Sequence, residues 1–295
     1  MQKIAVIGSI NMDMTATAAR IPRPGETVAA AALRYLPGGK GANQAVAAAR
    51  LGGDVAMFGC VGGDGFGPQL IENLRSNGVD TRHIETLPDM SSGLAMIVVA
   101  ENDNAITVVP GANARVTPDY VDRCWDEIKK ADVVLLQNEI PAETVRHAAL
   151  RLRAAGKTVI WNPAPAAPAD AALLEAVTYL TPNEHEARIV LGDDETPLPA
   201  LIERYRGKLI VTMGAAGIGC CGADGRYVCI PAIPAKVVDT TGAGDTMNGA
   251  FAFALAAGMD VAAALRFANA AAGIATEQPG AQAGMPTRPA VEARL

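Results

Sequence analysis

Short runs of Val, Ile and Leu alternate along this chain with longer stretches in which apolar side chains recur every three or four positions. The runs lie at Ile4–Ile7, Val55–Val61, Val133–Gln137, Val159–Trp161 and Leu209–Thr212. A continuous apolar run of this length, bounded by turn residues, suits a strand buried on both faces, and such strands belong to parallel sheets. Between them, Asn43–Leu51 sets Val46, Ala47 and Leu51 on one helical stripe, and Pro68–Ser76 does the same with Leu70, Ile71 and Leu74. Strands alternating with helices need right-handed crossovers, so the pattern predicts an α/β fold with a parallel sheet flanked by helices.

Two regions break the rhythm. Met14–Leu36 carries Pro22 and Pro24 around a turn, and Gly93–Val109 alternates in strand fashion around Asn102-Asp103-Asn104. Both predict hairpins outside the main sheet, forming a small β layer over about 14–36 and 93–109 that acts as a lid on a ligand. Extra edge strands without a gating role are the alternative. The rest reads as one domain over 1–295. The apolar stretch Ala250–Ala275 is interrupted by Asp260, Arg266 and Asn269, which predicts two buried helices rather than a membrane span. The opening run Ile4–Ile7 is a first strand, too short for the apolar core of a signal peptide.

Charge and cysteine content narrow the ligand. A net charge of −6, with no basic run beyond Lys129-Lys130, argues against a nucleic-acid or membrane-surface partner and points to a small molecule. Five cysteines without a CxxC pair suit reduced thiols in the cytosol, packed as small core residues.

The strongest local signal is Asp239-Thr240-Thr241-Gly242-Ala243-Gly244-Asp245-Thr246, ahead of a helix of small residues. Small residues at a helix start let backbone N–H groups converge at its positive end, an anion hole for a phosphate. Asp245 is placed at the N-cap. A carboxylate beside such a nest repels phosphate unless it faces an acceptor hydroxyl, the arrangement phosphoryl transfer needs; a plain helix cap is the alternative. Gly38-Gly39-Lys40-Gly41-Ala42-Asn43-Gln44 also precedes a helix but lacks the P-loop spacing, and it suits a polyol held by Lys40 and Asn43. The turn Gly8-Ser9-Ile10-Asn11-Met12-Asp13 follows the first strand, where Asp13 can accept two bonds from a vicinal diol or form an Asx turn. Glu139 follows the strand Val133–Gln137. Asn183 and Glu186 open a helix as a cap or as part of a water shell around Mg²⁺, with equal claim.

Taken together these motifs resemble the ribokinase family of sugar and nucleoside kinases over nearly the whole chain. The likeness rests on the Gly8–Asp13 turn, the Gly38–Ala45 segment and Val61-Gly62-x-Asp64-x-x-Gly67. It extends through Asn162-Pro163-Ala164-Pro165-Ala166, Asn183-x-x-Glu186, Thr212-x-Gly214-x-x-Gly217 and Asp239–Asp245. The resemblance implies a doubly wound, mostly parallel sheet with a β lid that often forms a homodimer interface, a cytoplasmic enzyme, and Mg²⁺ and K⁺ beside ATP. By its pattern Asn11, Asp13, Gly39, Lys40, Asn43, Glu139 and Asp245 surround the sugar, D-ribose in the members that match best. Gly242, Ala243 and Gly244 then form the anion hole, with Asp245 as the base. ATP falls to Asn183, Thr212, Gly214, Gly217, Gly244 and Asn269, the last standing where a histidine is often found against adenine. Glu186 meets Mg²⁺ through water. A monovalent cation falls to Asp239, Thr241, Ala275, Gln278, Gly280 and Gly284, where Gly284 replaces a common serine. Deoxyribose or nucleoside kinases of the same family are the nearest alternatives, and a catalytically dead sugar sensor the more distant one.

Overall fold

A computed structural model describes residues 2–100 and 103–295, so Asn102 of the predicted hairpin turn lies outside the described residues. The strands are β1 (Lys3–Ile7), β2 (Asn11–Ala18), β3 (Ala30–Gly38), β4 (Asp54–Gly62), β5 (Asp80–Leu87), β6 (Gly93–Ala100), β7 (Asp103–Val109), β8 (Val133–Gln137), β9 (Thr158–Asn162), β10 (Tyr179–Leu180), β11 (Val211–Thr212), β12 (Ile218–Cys221) and β13 (Tyr227–Ile230). Six of them make one parallel sheet in the order β10-β9-β8-β1-β4-β5. The chain builds outward from β1 through β4 and β5, then returns to the other side of β1 through β8, β9 and β10. The fold is thus α/β and doubly wound, with the order reversing between β1 and β8, and in sheets of this kind ligands bind outside the carboxyl ends of the strands at such a reversal.

Burial explains why the apolar runs were readable. Ile4, Val6, Val133 and Leu135 enter one core, under the helices Lys40–Arg50, Ala243–Ala256 and Val261–Ala275. Their neighbours Ala5, Ile7, Val134 and Leu136 enter a second core on the opposite face. Both faces of β1 and β8 are covered, so Ile4–Ile7 and Val133–Leu136 are apolar throughout.

Leu209–Thr212 reads from sequence as one more parallel strand, yet only single parallel bridges, Leu180 to Leu209 and Asn183 to Thr212, tie it to the sheet. Val211–Thr212 turns instead into an antiparallel ribbon with β12 and β13. The two irregular regions form a separate sheet, β3-β2-β6-β7, in which the hairpins β2/β3 and β6/β7 join through a parallel β2–β6 pair.

The Ala243–Ala256 helix is buried on all sides apart from its first two residues and Leu255. Alanine and glycine make this possible by letting neighbours approach closely. At Gly249 a methyl group would lie 2.5 Å from the Gln44 carbonyl oxygen and 2.7 Å from the Ala47 Cβ. One turn before that contact stands Asp245, so the close crossing at Gly249 brings Asn43 and Gln44 against it.

Candidate active site

Glu139, just past β8, ties the β1–β2 turn to the start of the Lys40 helix. Its Oε2 accepts the Ser9 hydroxyl at 2.6 Å and the Lys40 backbone N–H at 3.0 Å, and the Asn11 amide approaches it at 3.5 Å. The Lys40 helix has no side-chain cap of its own, so a carboxylate from another element satisfies its first amide. Gly39 precedes it at φ 88°, and a side chain there would meet the Asn11 nitrogen at 2.7 Å. Asn11 is oriented from below by buried Asn113, whose amide donates to Asn11 Oδ1 at 2.7 Å while its Oδ1 accepts the Ile10 N–H at 2.9 Å.

Asp13 lies one strand residue beyond Met12, and its carboxylate has no hydrogen-bond partner among the described residues. Burial first, then the nearby Glu139 and Asp245 carboxylates, raise its pKa from 3.8 to about 7, against the pull of Lys40. Lys40 responds in the opposite sense. The Asp245 carboxylate is the largest influence and pushes its pKa up over the opposing effect of burial, with Glu139, Glu186 and Asp13 adding to it. Three carboxylates and one ammonium therefore share one crevice, the expected sugar set of Asn11, Asp13, Gly39, Lys40, Asn43, Glu139 and Asp245.

Asp245 is buried and takes a donor on each oxygen: Asn43 Nδ2 to Oδ2 at 2.9 Å and Gln44 Nε2 to Oδ1 at 3.1 Å. It is not the N-cap that the sequence pattern predicts. Gly242 holds that place at φ 77°, packed so that a methyl group would lie 2.7 Å from the Ala281 carbonyl oxygen, and Asp245 is the third helical residue. The run of three small residues carries no capping side chain, so the helix starts earlier than an acidic cap would place it. The Ala243 N–H turns back to the Thr240 carbonyl at 3.2 Å, which leaves Gly242, Gly244 and Asp245 to supply the free amides of the nest.

Ala243 and Gly244 also line a cleft of about 670 Å³. All the positions expected to hold nucleotide, Asn183, Thr212, Gly214, Gly217, Gly244 and Asn269, line it too. Asn269 donates its amide to the Pro231 carbonyl at 2.7 Å and so fixes the cleft wall. Sequence reasoning missed that wall, built by Ile233, Pro234, Val237 and Met247; the prolines between Ile230 and Val238 were its signal. Asn183 and Glu186 form a capping box, with Glu186 N–H to Asn183 Oδ1 and Asn183 N–H to Glu186 Oε2 both at 2.8 Å. Glu186 Oε1 makes no bond there.

Of the cation positions, three are tied together by one side chain. Asp239 Oδ1 accepts the Thr241 N–H at 2.9 Å and Oδ2 the Gly280 N–H at 2.8 Å. Burial works against the Asp239 charge, but these donors outweigh it and hold the pKa below its ordinary value. Gly284 is buried against Ala275: a Cβ would stand 2.1 Å from the Ala275 carbonyl oxygen, so this position offers backbone alone.

Comparison with known proteins gives this arrangement its class. The family model for pfkB family carbohydrate kinases matches residues 1–288, and the chain belongs to that family. A ribokinase of Bacillus subtilis is 48% identical over 295 residues, covering 100% of both chains. A deoxyribokinase of Salmonella typhimurium is 38% identical over 293 residues, covering 96% of this chain and 95% of its own. Among solved structures, an Arabidopsis thaliana ribokinase complexed with ribose and ATP superposes with a TM-score of 0.91 at 32% identity, over 99% of this chain and 98% of that one.

Proposed function

We propose that this chain phosphorylates D-ribose at its 5-hydroxyl with ATP, giving D-ribose 5-phosphate and ADP. One observation carries the reading: Asp245 is hydrogen-bonded to the polyol-type crevice through Asn43 and sits in the first turn of the helix whose start lines the nucleotide cleft. The similarity to ribokinases over the full chain supports ribose as the acceptor.

On this reading the β2/β3 and β6/β7 sheet is a lid over the sugar, and Asp13, Asn11, Asn43 and Glu139 read its hydroxyls. The 5-oxygen attacks the γ-phosphorus as Asp245 takes its proton, and the bond to the β-phosphate oxygen breaks to release ADP. The amides of Gly242, Gly244 and Asp245 and the Lys40 ammonium receive charge as it shifts. A loose transition state demands little early proton removal, so the position of Asp245 counts for more than its basicity.

The residues fit the two ions that the family pattern implies. No group of three metal-ligating side chains exists among the described residues, so Mg²⁺ would ride on the phosphates, with Glu186 Oε1 reaching it through water. Asp239 and the carbonyls around it form an all-oxygen set suited to K⁺. When bound, the ions neutralise phosphate charge and stiffen the nest. We also place the enzyme in the cytoplasm, a reading supported by its five free cysteines, and as a homodimer through the lid. Strand register puts Leu33, Tyr35 and Met96 on one lid face and Leu36, Ile106 and Val108 on the other, and each is at least 41% exposed.

An ATP-coupled panel of ribose, 2-deoxyribose, adenosine and fructose 6-phosphate tests the assignment. Ribose should give the highest kcat/KM. A crevice built to bond hydroxyls leaves a group unpaired when one is missing, a loss of about 1–3 kcal/mol, so deoxyribose should lag about ten-fold or more. Superior turnover of deoxyribose would favour the deoxyribokinase alternative, and superior turnover of adenosine or fructose 6-phosphate would reject a ribose kinase.

A further inference from the structure

Behind Asp245 runs a line of buried carboxamides, none of them among the residues expected to meet the sugar. Gln137 at the end of β8 donates its amide to Gln44 Oε1 at 2.7 Å. Gln44 Nε2 donates both to Asn162 Oδ1 and to Asp245 Oδ1, each at 3.1 Å. Asn162, at the end of β9, donates to the Thr181 backbone carbonyl at 3.0 Å. Gln44 and Gln137 are fully buried and Asn162 is 7% exposed.

The direction of this line follows from its ends. The Thr181 carbonyl can only accept, so Asn162 must give it the amide and turn Oδ1 toward Gln44. The Asp245 carboxylate can only accept as well. Both neighbours thus demand the Gln44 amide on that side, and its carbonyl must face Gln137. Gln137 then has to spend its own amide on Gln44, and its Oε1 is left buried with no partner. Buried carbonyls without a partner are uncommon because their desolvation is uncompensated. The fold nevertheless keeps this one: Gly8 leaves room for it, since a methyl group there would lie 2.0 Å from Gln137 Oε1. A line assembled for packing alone would be better served by an apolar residue at 137.

We propose that Gln44, held in one orientation by Gln137 and Asn162, is the positioning residue that aims the Asp245 carboxylate for phosphoryl transfer. Asn43 fixes the other oxygen, but it also faces the sugar crevice; Gln44 faces only Asp245 and the amide line. The proposal rests on Asp245 being the base.

The test compares Gln44→Met, which removes the donor, with Gln44→Glu, which keeps the shape and can still accept from Gln137 but sets a carboxyl against Asp245. Rates are taken per site that binds ADP, so loss of folded protein does not count. Both variants should lower kcat, about ten-fold for Met and further for Glu, while KM for ribose stays within about threefold. A packing role makes the opposite order, because the glutamate variant retains the bond to Gln137. Gln137→Met gives a second, milder probe: it removes the orphan carbonyl, so Tm should hold or rise, while kcat falls several-fold as Gln44 loses its anchor. Asp245→Asn is measured alongside. If it loses turnover while the Gln44 and Gln137 variants keep wild-type kcat, or if their losses appear in ribose KM instead, positioning by Gln44 is rejected. If Asp245→Asn itself turns over normally, the assignment of the base fails, and the proposal with it.

Discussion

Replacing Asp13 with asparagine removes a charge and keeps the shape, and the site's own electrostatics set the expected result. Asp13 is half-buried beside Glu139 and Asp245, and its pKa rises from 3.8 to about 7. A carboxyl with a raised folded pKa binds its proton more tightly in the folded chain. Its contribution to stability is therefore full below 3.8 and is lost as pH rises through about 7. Taking an uncharged asparagine as the reference, the wild type gives up about 1–2 kcal/mol near pH 5 and about 4 kcal/mol near pH 8. At about 2 °C per kcal/mol for a chain of this length, unliganded Asp13→Asn should melt roughly 3 °C above wild type near pH 5 and roughly 8 °C above it near pH 8. Scanning calorimetry of both proteins at the two pH values, without sugar, measures the gap. Saturating ribose should then raise the wild-type Tm and leave the variant nearly unmoved. A gap of equal size at both pH values, or a variant less stable than wild type near pH 8, would refute the claim that this carboxylate is held against the interest of the fold.

Asp245→Asn should keep ribose and ATP binding by calorimetry and lower kcat by about 10² or more, the usual loss for a positioned general base; a near wild-type rate assigns the role elsewhere. Replacing Na⁺ by K⁺ at constant ionic strength should raise kcat more than it changes ribose KM, and equal rates in K⁺, Na⁺ and a bulky organic cation would dismiss the site. Gly284→Ser should weaken rather than strengthen this activation, because its Cβ displaces the Ala275 carbonyl. By sedimentation, Leu33→Glu or Ile106→Glu should convert a dimer to a monomer; a monomeric wild type would discard the lid interface.

The parts of this molecule legible in its sequence are those that local physics determines. β1 and β8 declare themselves because both faces of each are buried. β5 does not: Asp80–Leu87 lies at the sheet edge, half exposed, and its polar residues leave no apolar run. The ribbon β12–β13 was hidden for a similar reason, its short strands carrying glycine and cysteine where longer branched runs would mark a core. The crevice residues were legible because glycines and acids cluster beside strand ends. Asn113, Gln137 and Gln282 were not, since each is an ordinary polar residue on its own element and gains meaning only through a partner far along the chain. Gln282, for example, donates to Asn43 Oδ1 at 2.9 Å across 239 positions. Gln44 and Asn162 stood inside recognised motifs, but a glutamine within a helix normally faces water, and it is Gln137, Asn162 and Asp245, on three other elements, that hold the Gln44 side chain inside.

The apolar wall of the nucleotide cleft carries a thermal consequence. Ile233, Pro234 and Val237 offer hydrocarbon to a purine if nucleotide binds there as proposed, and Val237 is 62% exposed. Covering such surface lowers the heat capacity of the complex below that of its separated parts. The enthalpy of nucleotide capture therefore becomes steadily more favourable with warming while its entropy becomes less so, and the two changes largely cancel. Affinity for nucleotide should drift little across the growth range of the cell, even as the heat released on binding changes severalfold.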